Sequence, residues 1–441
     1  MFRVSLTRPM AGALALALWF AWAPCSAAAA DTPSTAGELL TLDKALGAAE
    51  LRSHQLAGQD AAASAAREMA LAAGQLPDPT LKAGVNNLPI DGADRYSLTR
   101  DFMTMRSVGV MQEFTRDDKR KARSARFARE AGVAEAGRAV ALANLRRDTA
   151  VAWLDRHYQE RMRALLQLQR SETALQIEAA DAAYRGGRGP QADVFAARSA
   201  VAVMEDRIRQ MDIQVATART KLARWVGPDA AAALAPPPDL ATTALQSGDL
   251  ETHLEHHPQL MLVASQEAVA RAEADVARSN KQSDWSVELM LSQRGSAYSN
   301  MVSVNVSVPL QWDPKNRQDR EVSARLALAE QIRAQRDELS REHAAEARSW
   351  LQQWQGNRGR LTQYDSSLIR LATERTQASI AAYRGGSGSL AAVLEARRME
   401  IDLRMERLHL EMETAGVWAQ LEYLIPAFSS NDRRALKEQQ R

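Results

Sequence analysis

The sequence predicts a mainly α-helical protein in which a unit of helix, β-hairpin and long helix pair occurs twice in tandem. Three observations support this fold class: the composition, an internal repeat, and four short runs in which polar and apolar residues alternate. Of the 441 residues, 46% are hydrophobic, 25% are charged and 5% are aromatic. Together with the abundance of Ala, Leu, Arg, Glu and Gln, this composition is typical of long helices and coiled coils.

The charge balance and the cysteine count exclude several classes of function. Lys and Arg number 56 against 54 Asp and Glu, which gives a formal net charge of +2. Nucleic-acid binding rests on an excess of cations that neutralises phosphates, so no nucleic-acid partner is expected. A single cysteine excludes a disulfide framework and a zinc site built on cysteine pairs.

Residues 1–30 have the features of a signal peptide. Arg3 and Arg8 give the N-terminal end a positive charge, and an apolar run follows them. Small residues then precede a cleavage site after Ala30. The mature protein is therefore expected to be exported. The single cysteine, Cys25, lies in this segment, and the alternative is that it becomes the lipidated first residue of a lipoprotein. No later run approaches the ~18 apolar residues of a membrane-spanning helix, so a membrane crossing would use strands.

The mature chain is predicted to be a tandem duplication. YRGGRGPQADVFAAR begins at Tyr184 and YRGGSGSLAAVLEAR at Tyr383, so the copies are separated by 383 − 184 = 199 residues. Such self-similarity indicates one structural unit used twice. The predicted segments are the first repeat at 31–227, a Pro- and Ala-rich connector at 228–249, the second repeat at 250–426 and a polar tail at 427–441.

Within each repeat the hydrophobic period changes from helix to strand and back to helix. Helices are expected at about 42–74, 115–181 and 194–225, and again at about 250–282, 314–381 and 393–424. Strands are expected near 79–88, 103–114, 284–293 and 300–310. The clearest strand is MVSVNVSVPL from Met301 to Leu310, in which four valines face one way and serine and asparagine face the other.

The four predicted strands have the length and flanking residues of membrane strands. Each approaches the ~10 residues that a tilted transmembrane strand needs, and aromatic residues lie near the strand ends, as at a membrane interface. These aromatic residues are Phe102, Phe114, Trp285, Tyr298 and Trp312. An open four-stranded sheet would leave its edge N–H and C=O groups unpaired in lipid. We therefore expect other copies of the chain to close the sheet.

The signal segment, the repeat, the two hairpins and a Tyr-x-x-Gly turn followed by Asp-Val resemble the TolC-like outer-membrane efflux proteins. The turn is formed by Tyr184, Gly187, Asp193 and Val194. The resemblance implies a homotrimer in the outer membrane of a Gram-negative bacterium, with a 12-strand barrel continued by a periplasmic α-helical tunnel. It also implies a passive channel, with no enzymatic activity and no cofactor, that works with a periplasmic adaptor (membrane fusion protein) and an inner-membrane pump of the resistance-nodulation-division (RND) type.

Two further stretches resemble the branch of this family that serves heavy-metal RND exporters. They are LPDPTLKAGVNNLP and SLTRDFMTMRSVGVMQEF, which contain the first predicted hairpin. This resemblance implies heavy-metal cargo such as copper or silver, or cobalt, zinc or cadmium. The alternatives are a drug-efflux or type I secretion channel and, in a different class, a periplasmic coiled-coil adaptor or scaffold. The alternating strands weigh against a scaffold.

The resemblance also places a closing tip, or gate, at 184–198 and 383–397. The tip residues are Tyr184, Gly187, Asp193, Tyr383 and Gly386, and Glu395 is a candidate substitute for gate residues that this chain lacks. This chain departs from the family pattern at Ala392, where Asp is frequent, and at Gly388, where Arg is frequent. The structural alternatives are that the glycines serve only the helix reversal and that Asp193 only caps the returning helix.

Two sets of residues are candidate metal ligands. Five methionines share the polar side of the predicted strands by parity, and thioether sulfur is a soft ligand that suits Cu(I). They are Met103, Met105, Met111, Met290 and Met301, and their alternative role is packing. His253, His256 and His257 have the spacing of metal ligands on a helix, but no carboxylate or cysteine completes the set, and a packing role is favoured.

Overall fold

The computed structural model describes residues 39–243 and 255–425. The eight α-helices of these residues are α1 (Leu42–Arg52), α2 (His54–Ala73), α3 (Asp117–Arg185), α4 (Gln191–Val226), α5 (Pro258–Ser279), α6 (Gln318–Gln363), α7 (Ile369–Arg384) and α8 (Leu390–Glu422). The strands are β1 (Thr80–Asn86), β2 (Met105–Phe114), β3 (Trp285–Gln293) and β4 (Met301–Ser307). The predicted signal peptide with Cys25, part of the predicted connector, and the tail lie outside the described residues.

The first helical segment is two helices rather than the single one that the sequence predicts. Thr41 caps α1 by accepting a hydrogen bond from the Lys44 amide at 3.2 Å. Ser53 then leaves helical geometry with ψ 103° and caps α2 by accepting a hydrogen bond from the Leu56 amide at 3.3 Å. A serine hydroxyl that serves as an N-cap allows a helix to restart after one non-helical residue.

The long helix of the first repeat is continuous. α3 contains 69 residues, which corresponds to about 104 Å at 1.5 Å per residue. Asp117 and Asp118 lie in its first turn, where negative charge is favourable at the positive end of the helix dipole. Within residues 39–243 and 255–425, no helix combines the length and the apolar character needed to cross a membrane.

The second repeat can be compared with its predicted helices at two places. Its first described helix, α5, begins at Pro258, and proline suits the first helical position, where its missing N–H costs nothing. The predicted start near residue 250 lies outside the described residues. The long helix of this repeat is interrupted by a π-helical turn, Tyr364–Leu368, between α6 and α7. The aromatic ring of Tyr364 is buried there, and Arg407 on α8 binds the neighbouring Asp365 (Nη2 to Oδ2, 3.0 Å).

The largest core cluster lies where both repeats meet the connector. Trp153 on α3 is fully buried, and its indole N–H donates to the Leu40 carbonyl at 3.1 Å. Arg156, 1% exposed, donates to the carbonyls of Ala230 at 2.8 Å and Ala232 at 2.9 Å. Leu40 and Leu234 form a parallel bridge beside them. We call these contacts of Trp153 and Arg156 with residues 40 and 230–234 the connector belt.

The strands of both repeats form one antiparallel sheet in the order β1-β2-β3-β4. The two hairpins are joined by β2 and β3, which belong to different repeats and pair from Arg106 with Gln293 to Phe114 with Trp285. From Leu39 onward the chain clusters as one compact unit. The predicted combination of long helices with a small antiparallel sheet is therefore confirmed.

Candidate functional site

The register of the sheet separates an apolar face from a polar face. Leu81, Val110, Leu289 and Val304 pair in one row across all four strands. Because side chains alternate along a strand, the residues between these rows point to the opposite face. The side that the valines of β4 predict to be apolar is thus the apolar side of all four strands.

The apolar face of the sheet is its exposed face. Val302, Val304 and Val306 are 67%, 65% and 63% exposed, whereas Ser107 and Ser292 on the polar face are 8% and 5% exposed. Such an arrangement is the reverse of an ordinary soluble sheet, in which the apolar face is covered. The valine face therefore fits an apolar environment, which the described part of the chain does not supply.

A glycine on the polar face allows the two hairpins to approach closely. A Cβ atom on Gly109 of β2 would lie 2.6 Å from the Leu289 carbonyl oxygen and 3.0 Å from the Cα of Met290. Real Cβ atoms do not come this close, so only glycine fits where β2 meets β3. The junction between the repeats depends on this residue.

The polar face carries charged groups and four of the five predicted methionines. Lys82 and Glu288 form an ion pair across the sheet at 3.2 Å (Nζ to Oε2). The methionines in the strands are Met105, Met111, Met290 and Met301, each on the polar side of the register. Met103 differs from its prediction, since β2 begins two residues later and Met103 lies in the preceding turn.

Aromatic side chains lie at both ends of the sheet. At the helical end, the rings of Phe114 and Trp285 stack with their centroids 4.5 Å apart, and Trp312 beyond β4 is 87% exposed. Phe102 and Tyr298 lie in the turns at the opposite end, and both are exposed. Paired aromatic zones at the two ends of an apolar strand surface are typical of membrane interfaces.

The two predicted tips are helix reversals with the same backbone path. Gly187 follows α3 with φ +65°, and Gly386 follows α7 with φ +75°. The amide after each glycine donates to a carbonyl in the last turn of the preceding helix, at 2.8 Å and 3.0 Å respectively. Glycine enters this left-handed region without strain, so both glycines have a structural role in the reversal.

A small apolar cluster joins the two reversals. Tyr383 and Ile380 on α7 pack against it. Its buried members come from three helices and are Ala180 on α3, Val194 and Ala197 on α4, and Leu390 and Val393 on α8. Next to it, Arg397 on α8 binds Glu172 on α3 at 2.7 Å (Nη1 to Oε2). The helix pairs of the two repeats are therefore fastened to each other near their ends.

Comparison with known proteins identifies the fold. The crystal structure of the outer-membrane protein VceC from Vibrio cholerae matches with a TM-score of 0.71, 16% identity and coverage of 87% of this chain and 95% of that chain. The Campylobacter jejuni CmeC outer-membrane channel matches with a TM-score of 0.69 and 12% identity, covering 90% and 88%. Crystal structures of CusC, which forms a transmembrane channel, match with a TM-score of 0.68 and 14% identity, covering 87% and 91%.

The chain has the TolC-like fold. No family model matches the sequence, and the comparison with curated proteins gave no match. The structural neighbours are channel proteins, and at these identities the likeness shows the fold. The identity to CusC, 14%, does not exceed the identity to VceC, 16%, so the comparison favours neither neighbour over the other.

On this TolC-like frame the predicted tip residues have different environments. Tyr383 is partly buried against the apolar cluster, whereas Tyr184 is 45% exposed. Glu395 pairs with Arg398 along the same helix at 3.2 Å (Oε1 to Nη2). At Gly388, a Cβ atom would lie 3.0 Å from the Ala382 Cβ. The turn thus leaves little room for a side chain at 388, where the family pattern has arginine.

Asp193 does not cap the returning helix, so that alternative is wrong in its simple form. The N-cap of α4 is Pro190, and Asp193 is the third residue of the helix. Within the described ranges 39–243 and 255–425, no hydrogen bond or ion pair engages its half-buried carboxylate. The charge still lies in the first turn, where it interacts favourably with the helix dipole. Its carboxylate is therefore available to a group outside the chain.

Sequence reasoning missed a buried carboxylate between α7 and α8. Glu400 is 3% exposed and accepts hydrogen bonds from Arg404 at 2.9 Å and Thr373 at 3.0 Å. Burial alone would raise the pKa of Glu400, but hydrogen bonds from Thr376, Arg404 and Thr373 outweigh it and hold the pKa below its usual value. The sequence signal for this site was the four-residue spacing of Glu400 and Arg404. Because such spacings are common in a helix with many charges, it did not single out Glu400.

The structure describes two of the three histidines that were the less favoured metal candidates. His253 lies outside the described residues, His256 lies in a turn, and His257 is buried against His343 of α6 with ring centroids 4.1 Å apart. Among the residues that the structure describes, no group of three or more His, Cys, Asp or Glu side chains could hold a metal ion. His343 was not predicted, because nothing in the sequence places residues 257 and 343 together.

Proposed function

We propose that this protein is the outer-membrane channel of a tripartite efflux system, which passively conducts substrate from an inner-membrane RND pump and a periplasmic adaptor to the exterior. One observation carries the proposal: the exposed face of the sheet is a continuous apolar surface from Leu81 to Val306. Lipid is the solvent that such a surface fits. The TolC-like arrangement of the helices supplies the periplasmic part.

The strand count supports a homotrimer. β1 and β4 are the edges of the sheet, and within the described residues neither has a neighbour on its outer side. Lipid does not tolerate such unpaired edges. Two copies would give eight strands, and a barrel of about eight strands is filled by its own side chains. Three copies give twelve strands and leave room for a lumen lined by the polar face. The four long helical paths of each chain would then form a tunnel of twelve.

Cysteine cross-linking between the free edges tests this assembly. Ala83→Cys on β1 and Val304→Cys on β4 would be combined in a Cys25→Ser background, in intact outer membranes. The expected result is a series of cross-linked species that ends at three chains. Each single-cysteine variant is a control and should give no species larger than two chains. A series that continues beyond three, or a protein found only in soluble periplasm, would contradict the channel proposal and favour the scaffold.

We further propose that the cargo is a soft heavy-metal cation such as Cu(I) or Ag(I). The supporting observation is that Met105, Met111, Met290 and Met301 share the polar face, at different heights along the strands. Thioether sulfur binds such cations weakly and reversibly when it acts alone, which suits passage rather than storage. Met103, in the turn, would contact cations at the outer mouth.

Replacing all five methionines by Leu tests the cargo. In cells that carry the cognate pump, copper and silver tolerance should fall while the amount of cross-linked trimer stays unchanged. The matched control replaces Met204 and Met162 by Leu. These two methionines are buried between helices, so the control should not alter metal tolerance at equal abundance. Undiminished metal tolerance of the five-fold variant would reject the methionine route, and a loss of drug tolerance instead would favour the drug-efflux alternative.

A further inference from the structure

The start of α5 is fastened to α6 by two stacked imidazoles. His257, 6% exposed, is the residue before the helix, and its carbonyl accepts the first backbone hydrogen bond of α5 from the Met261 amide at 3.0 Å. Its ring faces that of His343 at 4.1 Å between centroids, with a 32° angle between the ring planes. The ring pair joins the start of α5 to α6, and ion pairs join the two helices further along, among them Arg336 with Glu267 at 2.6 Å.

The hydrogen bonding of the pair is incomplete. His343 contacts Glu346 through Nδ1 at 3.1 Å (to Oε2). No protein group in the described ranges 39–243 and 255–425 reaches Nδ1 of His257 or Nε2 of His343, although both atoms are buried. A neutral imidazole tolerates a free lone pair, but a proton on Nδ1 of His257 would be a buried charge without an acceptor.

Burial and, to a smaller extent, His343 lower the pKa of His257, and the charged groups of the described residues nearby have other partners or lie across a cavity. Both rings line a cavity of about 410 Å³, to which α3 contributes Arg147, bound to Asp148 at 2.8 Å. From α6 come Glu342 and Glu346, and Glu346 already faces His343. The end of α8 contributes Tyr423, and His256 precedes His257 in the chain. A positive charge on His343, whose ring faces that of His257, would repel a charge on His257.

We propose that the His257–His343 pair is a pH-sensitive latch, which holds the start of α5 on α6 while both rings are neutral and releases it when His257 binds a proton. The device is built into the junction between the connector and the second repeat. It responds to acidification of the compartment around the helices and does not depend on what the protein conducts.

The size of the response follows from proton linkage. Burial, with a smaller contribution from His343, lowers the pKa of His257 to about 4 from an ordinary value of 6.5. The released state binds the proton more tightly, so the contact is fully stable above pH 6.5 and is progressively lost as the pH falls towards 4. At pH 5.0 the released fraction should exceed that at pH 7.5 by about 30-fold.

Hydrogen exchange of the full chain in detergent tests the latch. After correction for the intrinsic effect of pH, protection of the amides at 261–266 should fall about 30-fold between pH 7.5 and 5.0. A segment in the middle of α3, residues 150–160, should keep its protection. His257→Phe retains a flat ring that cannot be protonated. In this variant the protection of the same amides should fall less than threefold over the same pH range.

His409→Phe is the matched control, because His409 is exposed on α8 and this variant should respond as the unmodified protein does. Equal responses of His257→Phe and the unmodified protein would overturn the proposal, as would constant protection across the pH range. If His257→Phe does not fold, NMR of the unmodified protein with labelled histidine decides. A His257 ring half-protonated above pH 6 would overturn the latch, and one still neutral at pH 5 would support it.

Discussion

Replacement of Arg156 tests whether the connector belt stabilises the protein. The guanidinium of Arg156 is buried and donates to the carbonyls of Ala230 and Ala232 at 2.8 Å and 2.9 Å. It also binds Glu160 at 2.8 Å on its solvent side. Arg156→Met keeps most of the volume of the side chain and removes all three interactions.

The expected loss follows from what remains unpaired. Methionine avoids the cost of burying a guanidinium, but the two carbonyls lose their donors, and an unsatisfied buried group costs about 1–3 kcal/mol. Ala230 is 2% exposed, so its carbonyl bears the full cost, whereas Ala232 is half-buried and water can reach it in part. We therefore expect Arg156→Met to lower the free energy of unfolding by about 2–4 kcal/mol.

The assay is urea unfolding in detergent, combined with limited proteolysis at residues 232–243. The matched control is Arg219→Ala, because Arg219 approaches the same Glu160 from solvent at 3.8 Å and is half-exposed. An exposed pair of this kind contributes about 0–1 kcal/mol. If Arg156→Met is no less stable than Arg219→Ala, and its connector resists protease equally, the assignment of a stabilising role to the belt is refuted.

Three other substitutions have defined outcomes. Val304→Arg should lower the stability of the membrane-inserted sheet by about 2–4 kcal/mol near the membrane midplane, whereas Asn305→Arg, on the polar face, should be tolerated. Heat stability of the detergent-extracted protein measures both effects. Equal effects would show that the two faces are misassigned. Asp193→Ala combined with Tyr383→Phe should raise single-channel conductance in planar bilayers, and an unchanged conductance would leave both residues with packing roles only. Gly386→Ala should destabilise by about 1 kcal/mol in thermal unfolding, because its φ of +75° strains any residue with a Cβ, and a gain in stability would contradict that reasoning.

The strands were predictable because their signal is local. Val302, Val304 and Val306 alternate with polar residues, and alternation determines which side each residue faces before any partner strand is known. The pairing of β2 with β3 was not predictable in the same way. It joins residues of different repeats, and the sequence shows only Gly109 as a hint of close approach.

The helices were predicted as long elements, but their interruptions were not. Ser53 and the π-helical turn at 364–368 occupy segments with ordinary helix-forming neighbours, and the buried Tyr364 shows that tertiary packing determines the second of them. Tertiary contacts of this kind have no signature in a hydrophobic period. The same holds for Arg156 and His343, whose partners lie 74 and 86 residues away along the chain.

The position of the connector belt along α3 divides a rigid rod into two arms. From Arg156, α3 extends about 58 Å towards the sheet and about 44 Å towards the tip at 1.5 Å per residue. If α3 turns about the belt as a rigid rod, its two ends move in opposite directions in the ratio of the arms. A tilt of about 5° at the belt displaces the tip by about 4 Å over an arm of this length, more than the diameter of a water molecule. In the proposed trimer, a small repacking around Trp153 and Arg156 would therefore move the tip region at the far end of this helix.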